Sequence, residues 1–300
     1  MIMHQIIRKA FTLIELLVVI AIIGILSGLI VVTMNGVTAK ANIAKSQVFS
    51  NSLRDALMLN LVAEFKLDEG SGSSAVDNWG NRTGTLSGFD STAAKAGDTS
   101  SSGWMGSSNC VSGTCLRFDG VNDYVATGFS YPSVTKMTIE GWFYPTSYSN
   151  INTSSAIAGV NSYYYFWQYY DAYPRSWVIE VYNDGTRRFS DISLDLVPLN
   201  TWSHIVLTYD GNAISAYRNG VVYSTKTVGA VTIPALSSGT FRVGAPGYFG
   251  AIDGVRFYDS SVPTSKIKEN YYAGLNGLLA NGSISPKEYL SRIAADFAKN

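Results

Sequence analysis

The sequence predicts a mainly β protein: an antiparallel two-sheet jelly-roll sandwich carried on a long N-terminal transmembrane α-helix, with short C-terminal helices. Three observations carry this. From Phe11 to Met34 the only ionisable side chain is Glu15; from Leu61 a two-residue periodicity begins, punctuated by Gly, Asn and Asp pairs; and beyond Thr264 helical spacing returns. Many short strands without intervening helices favour a sandwich. The 300 residues are 46% hydrophobic and 15% charged, with 28 Gly, 19 Tyr, 13 Phe and 6 Trp, a composition that supplies a core and many turns. With 22 basic and 22 acidic side chains the formal charge is zero, so no nucleic-acid partner is expected. His4, His204, Cys110 and Cys115 are the whole supply of His and Cys, too few for a zinc site of that type to be credible.

The apolar run reaches roughly 36 Å at about 1.5 Å per residue, against about 30 Å of hydrocarbon. Arg8 and Lys9 precede it and stay cytoplasmic, so the body faces outward. The small and charged residues come before the run, which is the reverse of a secretory signal peptide. Glu15 inside a spanning helix costs about 2.5–3.5 kcal/mol on insertion scales and has no partner in its own segment. A cut between Ala10 and Phe11 would create an amino group on Phe11 that the Glu15 of a neighbouring subunit could neutralise, favouring lateral assembly. The plainer alternative is a signal anchor with Glu15 at the interface. Val37, Ala41, Ala44, Val48, Leu53 and Leu57 extend the helical spacing, giving one helix of about 75 Å from Phe11 to about Asn60.

The stretch from Arg8 through Ala10, Phe11 and Glu15 to Leu26 resembles the start of type IV prepilins. The resemblance implies cleavage after Ala10 by a prepilin peptidase and N-methylation of Phe11. It also implies residence in the inner membrane, then assembly with other pilin subunits through Glu15 into a surface pilus or pseudopilus. Ala10 stands where that family usually has Gly, and the segment lacks the helix-melting Pro of many pilins. Loss of Arg8 and Lys9 would leave 20 basic against 22 acidic side chains, a charge of −2.

In the body, hairpin turns are expected at Asn183-Asp184-Gly185, Asp210-Gly211-Asn212 and Asn219-Gly220. The strands beside them are Trp177 to Tyr182, His204 to Tyr209, Ile214 to Arg218 and Val221 to Thr225. Others are expected at Val62 to Leu67, Leu116 to Phe118, Thr138 to Phe143, Tyr163 to Tyr169, Phe241 to Gly244 and Ile252 to Tyr258. Ser71 to Ser108, rich in Gly and Ser, reads as surface loop. Helices are expected from Thr264 to about Leu279 and from Pro286 to Ala298, the second with Ser285 as N-cap.

The ordered phrases Glu64 to Gly72, Asp77 to Asn81, Leu116 to Val125, Thr138 to Phe143, Trp202 to Gly211 and Ile252 to Tyr258 resemble laminin G-like domains of the concanavalin A-like superfamily. The expected organisation is a leader at 1–10, a pilin helix at 11–60, a laminin G-like sandwich at 61–267 and a helical segment at 268–300. The resemblance implies sugar or protein binding and one structural calcium ion, with Asp77, Asn81 and Asp253 where relatives place ligands. Alternatively Asp77 and Asn81 are turn residues and Asp253 pairs with an arginine such as Arg256.

Cys110 and Cys115 enclose a short turn-forming segment outside the cytoplasm and are expected to form a disulfide, free thiols being the alternative. Tyr165, Trp167 and Tyr169 lie in an aromatic strand, one face of which could stack on sugar rings, although packing under a loop or against a neighbouring subunit is the commoner role. Glu140 and Glu180 stand singly, without the alternating carboxylates of sandwich glycosidases, and His204 reads as structural, so no catalytic residue is assigned. The expected function is a minor or tip pilin whose sandwich mediates adhesion to glycan or surface protein. A major pilin or secretion pseudopilin is the alternative, and a glycan-active enzyme the third reading.

Overall fold

The computed structural model describes residues 13–14, 16–23, 60–90, 102–130, 133–148, 158–160, 164–170, 176–183, 186–193, 197–230, 232–233, 235 and 241–297, with backbone alone at 148, 158, 160, 164–170, 176–183, 186–193 and 296–297. The chain divides into two compact units, Met1–Ala56 and Leu57–Asn300. In the first, helix α1 occupies residues 13–14 and 16–23, and its large apolar side chains, from Leu13 to Ile23, are exposed. Among the described residues no helix is long and apolar enough to cross a membrane. Ala10, Phe11 and Glu15 lie outside the described residues.

The second unit is built from two eight-stranded sheets. The first runs β14 (Val221–Thr227), β13 (Ala213–Arg218), β12 (Ser203–Tyr209), β7 (Met137–Tyr148), β16 (Tyr248–Tyr258), β5 (Cys115–Asp119) and β4 (Gly103–Met105), with β1 (Leu61–Phe65) on the later part of β16. The second runs β11 (Thr186–Ser193), β10 (Ser176–Asn183), β9 (Tyr164–Tyr170), β8 (Ala158–Val160), β15 (Phe241–Val243), β6 (Tyr124–Ala126), β3 (Thr83–Ser87) and β2 (Ser74–Val76). The pairings are antiparallel, as period-two patterning and tight turns require. Phe65, Phe118, Ile139, Phe143, Leu207, Ile252 and Phe257 from the first sheet meet Leu86, Val125, Phe241 and Val243 from the second in one core. Phe129 packs edge-on to Phe241 at 5.6 Å, a favoured arrangement for aromatic quadrupoles.

The Asn219-Gly220 turn forms as expected. Both residues have positive φ, 52° and 80°, as the two-residue hairpin joining Arg218 to Val221 demands. The Asn219 carboxamide also accepts the His204 N–H at 2.9 Å, tying the turn to β12.

Helix α2 (Thr264–Ala280) turns Ile267, Tyr271, Leu275 and Leu278 inward, and helix α3 (Pro286–Phe297) follows. The Ser285 hydroxyl accepts the Glu288 N–H at 3.1 Å, the cap expected from sequence. Tyr271, Leu275 and Leu278 cluster with Trp142 and Trp202 on the outer face of the first sheet.

The stretch expected as loop from Ser71 to Ser108 contains β2, β3 and β4 and a 3-10 turn at Ser107–Asn109. Its strands are short, and in β2 and β3 single small or apolar residues, Ala75, Gly84 and Leu86, face inward among Ser, Thr and Gly, so the periodic signal is weak.

Candidate functional site

On β7, Glu140 and Trp142 alternate with Ile139, Gly141 and Phe143, so the polar-aromatic set faces away from the inter-sheet core. Register places His204 opposite Trp142 and Arg256 opposite Glu140. The result is a buried network beneath α2. One Glu140 oxygen, Oε1, accepts from Tyr258 OH at 2.9 Å, Asn270 Nδ2 at 2.8 Å and Arg256 Nη1 at 3.2 Å; Oε2 sits 3.4 Å from His204 Nε2. Arg256 Nε also donates to Glu64 at 2.7 Å. Burial would raise the Glu140 pKa, but His204, Arg256 and Asn270 overcome it and hold the carboxyl down at about 2. Glu140 is thus held as an anion through Oε1, a poor proton carrier near neutral pH, while Oε2 has no hydrogen-bond partner among the described residues. The sequence reading found Glu140, His204 and Arg256 as individuals; their convergence, with Asn270 arriving from α2, has no local signal.

Asp253 and Arg256 are three apart and would face opposite sides of a regular strand. Between them the register slips, two residues, Gly254 and Val255, standing against Gly141. Gly254 has φ 57°, the left-handed conformation that such a bulge uses. The bulge puts Asp253 and Arg256 on the same outer face. There Asp253 Oδ2 accepts the Val111 and Ser112 N–H groups at 2.7 and 3.1 Å, holding the loop closed by the Cys110–Cys115 disulfide. Burial pushes the Asp253 pKa well above the carboxylate range despite those bonds.

Asp77 and Asn81 share the turn before β3, where the Asn81 N–H donates to the Asp77 carbonyl at 3.1 Å and Asn81 has φ 51°. Asp77 Oδ1 accepts from the backbone of Glu64, Trp79 and Gly80, and Oδ2 from Arg82 Nε at 2.7 Å. Asp253 belongs to the separate network described above, so the three expected calcium ligands have no common partner. Among the described residues no three of His, Cys, Asp and Glu gather as a metal site.

Tyr165, Trp167 and Tyr169 fall on β9, where only the backbone is described. Tyr165 stands in the row Ala126, Arg242, Gly159, Tyr165, Glu180, and the Arg242 of that row is exposed. The β9–β10 register slips between Val178 and Glu180, and Tyr169 stands opposite Trp177. On β10 Trp177 and Glu180 have opposite parity, so Tyr165 and Tyr169 belong to opposite faces of the ladder. The side chains of Tyr165, Trp167 and Tyr169, on which the expected stacking role depends, lie outside those described. Nearby, the Arg242 guanidinium lies 4.2 Å from the Tyr124 ring centroid, a cation–π pair on the same outer surface.

Asp123 is a buried carboxyl the sequence reading did not single out. It accepts the Asp119 N–H at 2.7 Å and the Ser102 hydroxyl at 3.3 Å. Burial, with a contribution from the Asp119 carboxyl, pushes its pKa up to about 7 from 3.8. The folded state then binds more protons than the unfolded state between those values. This contribution is complete below the unfolded pKa and is lost as pH rises through about 7. Asp123→Asn is therefore expected to flatten the fall in unfolding midpoint between about pH 5 and pH 8. Urea denaturation across that range checks it; an unchanged slope would assign the pH dependence elsewhere.

Residues 119–268, half of the chain, match the laminin G-type family of the concanavalin A-like lectin/glucanases superfamily. Residues 7–31 match the prokaryotic N-terminal methylation motif. Among curated proteins none matches. The binding domain of Paraclostridial Mosquitocidal Protein 1 superposes with TM-score 0.51 at 15% identity, covering 73% of this chain and 53% of that one. The receptor binding domain of botulinum neurotoxin mosaic serotype C/D gives 0.53 at 9% identity, covering 72% and 51%. Domain 4 of AbnA, a GH43 extracellular arabinanase from Geobacillus stearothermophilus, in complex with arabinotriose, gives 0.49 at 18% identity, covering 70% and 97%. The chain spans about half the length of the first two, and at these identities the likeness is one of fold.

Proposed function

We infer that this chain, which belongs to the concanavalin A-like lectin/glucanases superfamily and carries a prokaryotic N-terminal methylation motif, is a type IV pilin-like subunit that displays a binding sandwich at the cell surface. The observation that carries the reading is the joining of these two matches in one chain. The motif supports processing by a prepilin peptidase between Ala10 and Phe11, and assembly with other pilin subunits through Glu15. Exposed apolar side chains along α1 agree with a helix whose partners are lipid or neighbouring helices. In the sandwich, a Glu140 held as an anion by Arg256, Tyr258 and Asn270 supports attachment rather than glycan cleavage. A body of some 240 residues suits a minor or tip position better than one repeated along a whole filament.

N-terminal mass spectrometry of the chain from its native cells is expected to find N-methylated Phe11 as the first residue, and Glu15→Ala is expected to abolish recovery in filaments. A chain still beginning at Met1 would sink the assembly reading. A glycan array probed with the intact chain tests attachment separately. Failure to bind any glycan or surface protein would favour a purely structural pilin or secretion pseudopilin.

A further inference from the structure

On the outer face of the first sheet, a cleft of about 310 Å³ opens between the end of β1, the disulfide loop and α2. Its lining includes Lys66, Asp68, Trp142, Asp253, Arg256 and Asn270. The polar atoms there are only partly spent. Arg256 uses Nε on Glu64 and Nη1 on Glu140, which leaves the Nη2 amide-like edge. Asp253, 3% exposed, uses Oδ2 on the loop and leaves Oδ1. Asp68 uses Oδ1 on the Thr114 N–H at 3.0 Å and leaves Oδ2. The Trp142 indole, 5% exposed, has no partner for its Nε1–H among the described residues. Asp68 is exposed, but the buried Asp253 and Trp142 and the half-buried Arg256 are groups that water or a ligand completes.

The surrounding backbone keeps the space. Gly274 lies over the indole, where a Cβ would overlap Trp142, and Gly277 lies against the Val111 carbonyl in the same way. Both let α2 approach the cleft floor without filling it. The Gly254 bulge is what presents Asp253 and Arg256 side by side. Regular alternation would have buried one of them in the core.

We propose that this cleft binds one sugar unit bearing a carboxylate, its anion held by Arg256 and Lys66 and its hydroxyls by Asp253, Asp68 and the Trp142 indole. The volume is at the lower end of small-molecule sites. A guanidinium edge and an ammonium suit a carboxylate. The Asp253 and Asp68 carboxyl groups in the same cleft offer sugar hydroxyls hydrogen-bonding partners that a bare anion does not use. The proposal deepens the attachment reading and rests on it. It concerns a face of the sandwich other than the β9 surface to which the sequence pointed.

The test uses the full chain in detergent micelles with ¹⁵N-labelled tryptophan. The Trp142 indole signal is assigned by its loss in Trp142→Phe or, should that variant misfold, by its through-space contact with Gly274. Titration with glucuronate, galacturonate and N-acetylneuraminate is expected to shift that signal saturably for at least one of them, with glucose and acetate about tenfold weaker or worse. Lys66→Glu, an exposed substitution, is expected to weaken binding about tenfold while leaving the melting temperature in place. A Trp142 signal unmoved by every acidic sugar overturns the proposal. So does an equal response to acetate or glucose, or binding indifferent to Lys66→Glu in a folded protein. None of these results bears on Phe11 methylation or on filament recovery, which test the subunit reading by themselves.

Discussion

Replacing Glu140 by alanine is expected to lower the stability of the sandwich by about 3–5 kcal/mol, the usual cost of stripping one partner from a buried charge network. The substitution would leave Tyr258 and His204, both almost fully buried, and the partly buried Asn270 and Arg256 without their shared acceptor. Arg256 keeps Glu64 and can hydrate, which puts the expected value toward the lower end of that range. Glu140→Gln, which retains one acceptor and most of the shape, should lose less. The measurement is the urea midpoint of the full chain in detergent at neutral pH. A loss under about 1 kcal/mol would mean that α2 shifts to re-pair the donors, and that the network is not what clamps it to the sheet. The pH dependence has a definite sign. Folding depresses the Glu140 pKa from 4.5 to about 2, so its contribution is complete above the unfolded value and disappears as pH falls through about 2. Asp123 acts in the opposite direction at higher pH. Together they place the most favourable conditions for these two groups on the mildly acidic side of neutrality.

Asp77→Ala is expected to cost a comparable amount, about 3 kcal/mol or more, although Asp77 lies in a turn rather than a strand. Its buried carboxylate gathers three backbone N–H groups and the Arg82 guanidinium, and that guanidinium in turn donates to the Val62 carbonyl and lies 4.6 Å from the Phe129 ring centroid. One side chain thus joins β1, the β2–β3 turn and the core. Asp77→Asn should recover part of the loss by keeping an acceptor for the backbone donors. Since these bonds already occupy the Asp77 oxygens, a chelator is expected to leave the melting temperature unchanged. A fall on chelation that calcium reverses in the parent chain but not in Asp77→Asn would place Asp77 in the ligand role that the family resemblance implied.

These cases show where the sequence was informative. Hairpins at 210–212 and 219–220, the capped start of α3 and the Cys110–Cys115 bridge follow from local chemistry: residues tolerant of positive φ, a hydroxyl ahead of a helix, and two thiols a short turn apart. The methylation motif is equally local, and so is the run of phrases behind the family match. The Glu140 network is not. Its members come from β7, β12, β16 and α2, and no spacing rule connects them. The two bulges were also hidden, because each adds a residue without changing composition. At β9 the slip sets Tyr165 and Tyr169 at opposite parity in the ladder; at Gly254 it concealed that Asp253 and Arg256 share a face. Strands of three residues such as β6 and β8 are too short for any period to register.

The position of β1 has a mechanical consequence. The strand nearest the N-terminal segment lies along β16, a strand flanked on its other side by β7, with Leu61 opposite Tyr258 and Phe65 opposite Val255. The Asp259 N–H to Asn60 carbonyl bond at 3.0 Å extends the ladder, and the Glu64–Arg256 ion pair crosses it. Tension drawn along β1 would strain these bonds together in shear instead of peeling them one after another from a free edge. Load entering the sandwich through β1, as the proposed subunit role implies, would thus be met by the whole β1–β16 ladder at once.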